Sequence, residues 1–209
     1  MPRTVSEPRF VRRFSRTERG LHWIHASAFL ALLATGLILY VPYLGEVVAR
    51  RPLVKEAHLL TAVAWAAALT AVVVLGDRRG LRRTLRELDA FDADDRRWLR
   101  NGRAPQGRFN AGQKLNVALT AAFALLFAVS GTLLWLGERD TTFRFDGTIV
   151  LHDGLTLLSV GLLTGHLYLA LIHPTTRHAL RGVTRGDVRV DWAREHHAKW
   201  VDGTPGPRA

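Results

Sequence analysis

The chain has 209 residues, 48% of them hydrophobic and 22% charged, with a formal net charge of +11; that is enough sequence for one domain. It contains no cysteine, which excludes disulfides, thiolate metal sites and cysteine nucleophiles and leaves nitrogen and oxygen as the available ligands. So basic a chain ordinarily points to a polyanion such as nucleic acid, but here the arginines lie between long apolar blocks, and that distribution argues against nucleic acid and for membrane lipid.

The N-terminal arm, residues 1–19, carries six arginines. It leads into a first apolar block, residues 20–41, with no Asp, Glu, Lys or Arg. This block is longer than the apolar region of a signal peptide, and "LILYVPYLGEVV" holds no small-residue cleavage site. A connection at 42–57 with three basic residues precedes the second block, 58–75, also uncharged. The longest polar segment, 76–114, follows with eleven basic residues. Within it "LRRTLRELDAFDADDRRWLR", residues 81–100, mixes arginines with Leu81, Leu85, Leu88, Trp98 and Leu99; it reads either as a helix lying on headgroups or as a solvated charged linker. The third block, 115–136, is uncharged, the connection 137–148 has two basic residues, and the fourth block, 149–173, contains Asp153 as its one acidic residue. The tail, 174–209, has seven basic residues and places Trp192 and Trp200 among them, a pattern expected of an interfacial anchor.

Each block is long enough to cross a bilayer, which takes about 20 apolar residues. Of the 29 lysines and arginines, 24 fall in the arm, the 76–114 loop and the tail, so the positive-inside rule puts all three in the cytoplasm. The expected fold class is an all-α membrane protein: one domain over 1–209, a four-transmembrane-helix bundle with both termini cytoplasmic. A soluble bundle of buried helices fits poorly, because such helices rarely run this long without charge.

Histidines inside these blocks are the chemical signal. Span four, "LHDGLTLLSVGLLTGHLYLALIH", holds His152 and His166. Fourteen residues at about 100° each bring a helix to within about 40° of a whole number of turns, so the two share a face, roughly 21 Å apart along the axis. His152 then lies near the outer surface and His166 near the inner one. His22 opens span one on the inner side, and His58 opens span two on the outer side. Two pairs result, His22 with His166 and His58 with His152. A polar ring at such depths is costly without a partner, and each pair could clamp a planar metal cofactor between helices. A haem with two histidine axial ligands fits best. His25, three residues after His22, is an alternative inner ligand. His173, just before Pro174, reads as a helix-end residue, and His178, His196 and His197 read as solvated or interfacial. Gly154, Gly161 and Gly165 allow close helix approach along span four.

At this point a resemblance is visible. "RFSRTERGLHWIHASAFLALLATGLILYVP", "RFNAGQKLN" and "LHDGLTLLSVGLLTGHLYLALIHP", followed by "WAREHHAKW", together resemble the cytochrome b (gamma) subunits of bacterial respiratory formate dehydrogenases, over about residues 10–200. The opening motif alone is shared in general form by cytochrome b subunits of hydrogenases and of sulfur-compound reductases. The resemblance implies a four-helix membrane cytochrome of the bacterial inner membrane with two b haems: His22 and His166 on the cytoplasmic-side haem iron, His58 and His152 on the periplasmic-side haem iron. The second histidine of "HWIH" departs from the pattern. The resemblance also implies a quinone site beside the inner haem at Asn110, Gly112 and Gln113, where the two amides could meet a quinone carbonyl and the glycine admits a ring. Asn-x-x-Gln before an apolar run equally reads as a capping box, and Lys114 reads as a residue that snorkels to headgroups. The implied partners are an iron–sulfur (beta) subunit, delivering electrons on the outer side, and a catalytic molybdenum or tungsten (alpha) subunit that oxidises formate, a reaction nothing in this chain could perform.

Two readings compete from other classes. A proton-coupled transporter using the histidines as a relay is opposed by the single acidic residue in the spans and by the lack of matching Gly/Pro-broken helices. A purely structural anchor with no cofactor is the second; replacing His58 or His152 with Ala would then change nothing but packing. A cytochrome b subunit serving hydrogenase or thiosulfate reductase is the nearest alternative, separable by its donor protein.

Overall fold

The computed structural model describes residues 9–203; Arg3 and Arg208, counted above in the charge of the arm and tail, lie outside them. Start signals in the polar sequence, two capping boxes and a proline, not the edges of the apolar runs, decide where three of the long helices begin. Strand β1 (Phe10–Arg12) comes first, then α1 (Arg16–Tyr40), started by a capping box in which the Glu18 amide donates to Ser15 Oγ at 3.2 Å and the Ser15 amide donates to Glu18 Oε2 at 2.7 Å. A short α2 (Pro42–Val48) ends at Ala49, whose left-handed φ of 51° closes the turn. The next long helix, α3 (Arg51–Leu75), takes Pro52 in its first turn, where the missing N–H costs nothing. It therefore starts seven residues before the uncharged run does.

Helices α4 (Arg78–Asp89) and α5 (Ala93–Asn101) make up most of the long polar loop. An Asp92/Asp95 capping box opens α5, and Gly102, at φ 69°, closes it. Helix α6 (Ala111–Gly137) and α7 (Gly147–Leu167) are the third and fourth long helices. The last turn of the fourth span widens into a π-helical stretch, Tyr168–Ile172, with the His173 amide donating to Tyr168 O at 2.9 Å. His173 itself is extended (φ −61°, ψ 126°), as a residue before proline must be. Short helices α8 (Leu180–Thr184), α9 (Val190–His196) and α10 (Ala198–Asp202) follow, with strand β2 (Asp187–Arg189) between the first two.

The described residues divide into two compact units. One comprises residues 9–19, 79–118 and 167–203. Here β1 pairs antiparallel with β2, Val11 opposite Val188. This small sheet has no counterpart in the all-helical reading, since three-residue strands leave no periodic trace. Gly186, at φ 94°, accepts from the Arg13 and Phe14 amides at 2.8 and 3.0 Å, and a Cβ there would stand 2.9 Å from Phe14 O; only glycine fits this turn. Val188, Trp192 and Ala193 form a core against which Val11, Ala179, Trp200 and Val201 pack.

Several tail and loop expectations need correction in this unit. Trp192 is a buried core residue whose Nε1 donates to Thr175 O at 2.8 Å, not an interfacial anchor. Lys114 donates to Ala90 O and Asp95 Oδ2, both at 2.7 Å, instead of snorkelling. His197 is 1% exposed, not solvated. It donates from Nδ1 to Gly107 O at 2.7 Å and accepts at Nε2 from Arg13 at 3.1 Å. The polar loop is likewise tied down: Arg108 bonds Glu87 at 2.6 Å, Glu18 at 2.7 Å, Thr84 at 2.6 Å and Arg13 O at 3.0 Å. Charged side chains missed as structure because their pattern looks solvated are here paired and hydrogen-bonded, the condition on which buried charge is tolerated.

The second unit, Gly20–Arg78 with Leu119–His166, holds most of the four long helices. Its apolar side chains point outward: Leu60 is 70% exposed, Val63 69%, Leu125 66% and Val150 71%. Patches of this size on a water-soluble monomer would be costly. All four helices are long and apolar enough to span a bilayer, and lipid is the solvent that suits those side chains.

His197 gives this description a test. Burial first, then the charge of Arg13, lowers its pKa to about 3. An unfolded chain takes up that proton near pH 6.5, while the folded one refuses it down to about pH 3. The stability contributed is therefore full above pH 6.5 and lost as pH falls toward 3. We expect the difference in melting temperature between the wild type and His197→Gln to shrink as pH is lowered from 7 to 4; a difference independent of pH would contradict the buried neutral imidazole.

Candidate functional site

Helix α7 is regular from Gly147 to Leu167, so His152 and His166 lie on one stripe of it, about 21 Å apart. Each meets a histidine from another helix. His58 of α3 faces His152 with ring centroids 6.4 Å apart and planes at 65°. His22 of α1 faces His166 at 6.3 Å and 51°. His25 packs against Phe29 at 6.1 Å and Trp65 at 5.7 Å. Of the two candidates in "HWIH", it is therefore His22 that the fold sets opposite His166.

The His58–His152 pair has further contacts that the sequence reading missed. Thr35 Oγ1 of α1 lies 2.8 Å from His58 Nδ1, and Ser130 Oγ of α6 lies 2.9 Å from His152 Nδ1. A Cβ placed on Gly36 would sit 3.5 Å from His58 Cε1, and one on Gly131 the same distance from His152 Cε1. Phe127 adds an edge contact to His152 at 5.1 Å. The signal for these residues is a hydroxyl–glycine dipeptide in spans one and three, Thr35-Gly36 and Ser130-Gly131. Each stands 22 or 23 residues before its histidine.

What could such pairs hold? Each offers two imidazoles. Among the described residues no group of three or more His, Cys, Asp or Glu is placed to bind a metal ion. A metal between two rings would have to bring its other ligands with it, and a porphyrin does that. The spacing agrees. A metal–nitrogen bond of about 2 Å plus roughly 1 Å from nitrogen to ring centre puts two axial imidazole centroids about 6 Å apart, close to the observed 6.3 and 6.4 Å.

Asn110, Gly112 and Gln113 lie together at the start of α6, in the first unit. They form the reciprocal cap: the Gln113 amide donates to Asn110 Oδ1 at 2.9 Å, and the Asn110 amide donates to Gln113 Oε1 at 3.1 Å. Arg13 Nη2 also donates to Gln113 Oε1 at 3.1 Å. The aromatic ring that approaches Gly112 is that of Trp98, 3.2 Å from where a Cβ would stand.

Comparison with known proteins agrees with a haem-binding reading. A family model described as prokaryotic cytochrome b561 matches residues 13–186. Among similar proteins, the formate dehydrogenase cytochrome b556(fdo) subunit of Escherichia coli K12 is 24% identical over 204 residues, covering 90% of each chain. The formate dehydrogenase cytochrome b556 subunit of Haemophilus influenzae is 22% identical over 192 residues, covering 86% of this chain and 77% of its own. The nitrate-inducible formate dehydrogenase cytochrome b556(Fdn) subunit of Escherichia coli K12 is 19% identical over 208 residues, covering 94% and 92%.

The cap at α6 can be tested by stability alone. Asn110→Ala removes the side-chain acceptor and should cost about 1 kcal/mol, while Asn110→Asp keeps it and should cost little. Melting curves of the purified protein check this; equal losses in both variants would show that the cap is not what Asn110 provides to the fold.

Proposed function

This chain belongs to the prokaryotic cytochrome b561 family, and from that premise we propose that it is the membrane-embedded cytochrome b subunit of a formate dehydrogenase complex, holding two b haems and reducing quinone. Haem b comes with family membership. The number two rests on the observation that carries this reading: two histidine pairs, at 6.3 and 6.4 Å, held at two levels of one helix. In it, His22 and His166 ligate the haem nearer the cytoplasm, and His58 and His152 the haem nearer the periplasm. Bound there, the haems supply one-electron chemistry that links an iron–sulfur subunit on the outer face to quinone on the inner face.

The residues of this chain do the rest. The imidazoles fix where each iron sits and what ligand field it feels. The apolar stretch of α7 between His152 and His166 sets the separation of the two sites at about 21 Å. Asn110 and Gln113 use their side-chain oxygens in the cap; their NH2 groups are the donors we assign to a quinone carbonyl, beside Gly112, against which the Trp98 ring packs. In this reading both termini are cytoplasmic, which the excess of arginine in the arm, the long loop and the tail supports, and the complex sits in the bacterial inner membrane. Electrons moving inward while protons are taken up inside would build a membrane potential. The partners in this reading are the iron–sulfur subunit and the catalytic molybdenum or tungsten subunit; the names of the similar proteins, each a subunit of a formate dehydrogenase, support partner subunits of such a complex.

The test is purification of the complex in mild detergent, with a reduced-minus-oxidised spectrum, haem quantitation and identification of the copurifying subunits. We expect His58→Ala or His152→Ala to remove one haem, His22→Ala or His166→Ala to remove the other, and His25→Ala to remove neither. Retention of both haems in any of the first four would contradict the ligand assignment. Copurification with a hydrogenase or thiosulfate reductase would change the donor and leave the haem sites as assigned.

A further inference from the structure

We propose that Thr35-Gly36 and Ser130-Gly131 are two copies of one device, a hydroxyl beside a glycine, that fixes the proton position and ring orientation of His58 and His152 so that both present a bare Nε2 to the same iron. The proposal rests on the haem reading above and adds positioning residues to it.

A hydroxyl has one hydrogen to donate and two lone pairs to accept with. Thr35 Oγ1 stands 2.8 Å from Ala31 O and 3.1 Å from Leu32 O, carbonyls of its own helix that can only accept. Its hydrogen goes to them, as mid-helix Ser and Thr hydroxyls commonly direct it. What Thr35 then offers to His58 Nδ1, 2.8 Å away, is a lone pair. The hydrogen in that bond must come from the imidazole. A neutral imidazole carrying its hydrogen on Nδ1 has Nε2 unprotonated, which is the form that binds a metal.

Ser130 repeats the logic on another helix. Its Oγ lies 2.7 Å from Leu126 O, with Phe127 O at 3.4 Å, and 2.9 Å from His152 Nδ1. Ser130 is fully buried, so water does not compete for these bonds. The glycines supply the second half of the device. Each ring lays its Cε1 edge over the backbone of the residue after the hydroxyl, 3.5 Å from the Cβ position. A methyl there would already be in contact, and anything larger would push the ring off its hydroxyl. Polar satisfaction of a buried histidine would be met by a partner at either nitrogen. Both hydroxyls choose Nδ1, and both glycines hold the same edge, on two rings whose centroids are 6.4 Å apart.

An Nδ1–H bond of this kind also raises the basicity of the ligand, which favours the ferric iron. The test is a redox titration of the purified complex, read at the haem bands, for Thr35→Val, Ser130→Ala and the exchanges Thr35→Ser and Ser130→Thr. We expect Thr35→Val and Ser130→Ala to raise the midpoint potential of the His58–His152 haem, or to lower its retention by about 10-fold. The His22–His166 haem should keep its potential and its content, which also shows that the bundle has folded. The two exchanges keep a hydroxyl and should restore wild-type behaviour. An unchanged potential and content of the His58–His152 haem in Thr35→Val and Ser130→Ala would overturn the device and leave the haem assignment standing. Equal shifts in both haems would overturn it as well, by showing a general loosening. A wild-type protein with no haem at His58 and His152 would instead overturn the reading on which the device depends.

Discussion

An imidazole placed among hydrocarbon side chains must have both nitrogens occupied, and that demand organises the bundle. Lipid offers neither donor nor acceptor, so each unpaired polar atom would cost several kcal/mol. At His58 and His152 one nitrogen is met by a hydroxyl of a neighbouring helix, and the two rings face each other with centroids 6.4 Å apart. In solvent these rings could find water anywhere and would constrain nothing. Inside the bundle they dictate which helices stand beside one another: α1 and α3 through Thr35 and His58, α6 and α7 through Ser130 and His152, and α7 with α3 and α1 through the two facing pairs.

The polar unit solves the complementary problem, that of fixing charged segments without a large apolar core. Its buried apolar cluster is small. Much of its definition comes from arginines used as multi-armed connectors. Arg108 joins residues of the arm and of the long loop. Arg13 reaches Arg108 O, Gln113 and His197. Burial, reinforced by Arg108, lowers the pKa of Arg13 to about 9, so it remains charged near neutral pH. A planar guanidinium with five donors suits this task better than an ammonium would.

The spans were legible in the sequence because uncharged runs of this length are rare in helices that water surrounds. The histidines stood out because they interrupt those runs at depths that match between helices. The helix starts were less visible. Ser15 with Glu18 and Pro52 extend helices into charged sequence that an apolar count rejects. The small sheet at Val11 and Val188 was hidden because two three-residue strands 177 positions apart leave no local pattern. His197 and Trp192 looked interfacial because their neighbours are charged; their burial depends on contacts with Gly107 and Thr175, far away in the chain. Thr35 and Ser130 looked like ordinary small polar residues of a membrane helix. Only the arrangement of the helices shows which nitrogen each one meets.

The central claim is that the two facing histidine pairs are axial ligand sets. It is tested most directly by haem quantitation on the wild-type complex together with low-temperature magnetic spectroscopy of the oxidised protein. The account predicts two protohaems per chain, both low-spin with two nitrogen axial ligands. One protohaem or none, or a high-spin iron with an open axial position, would contradict it.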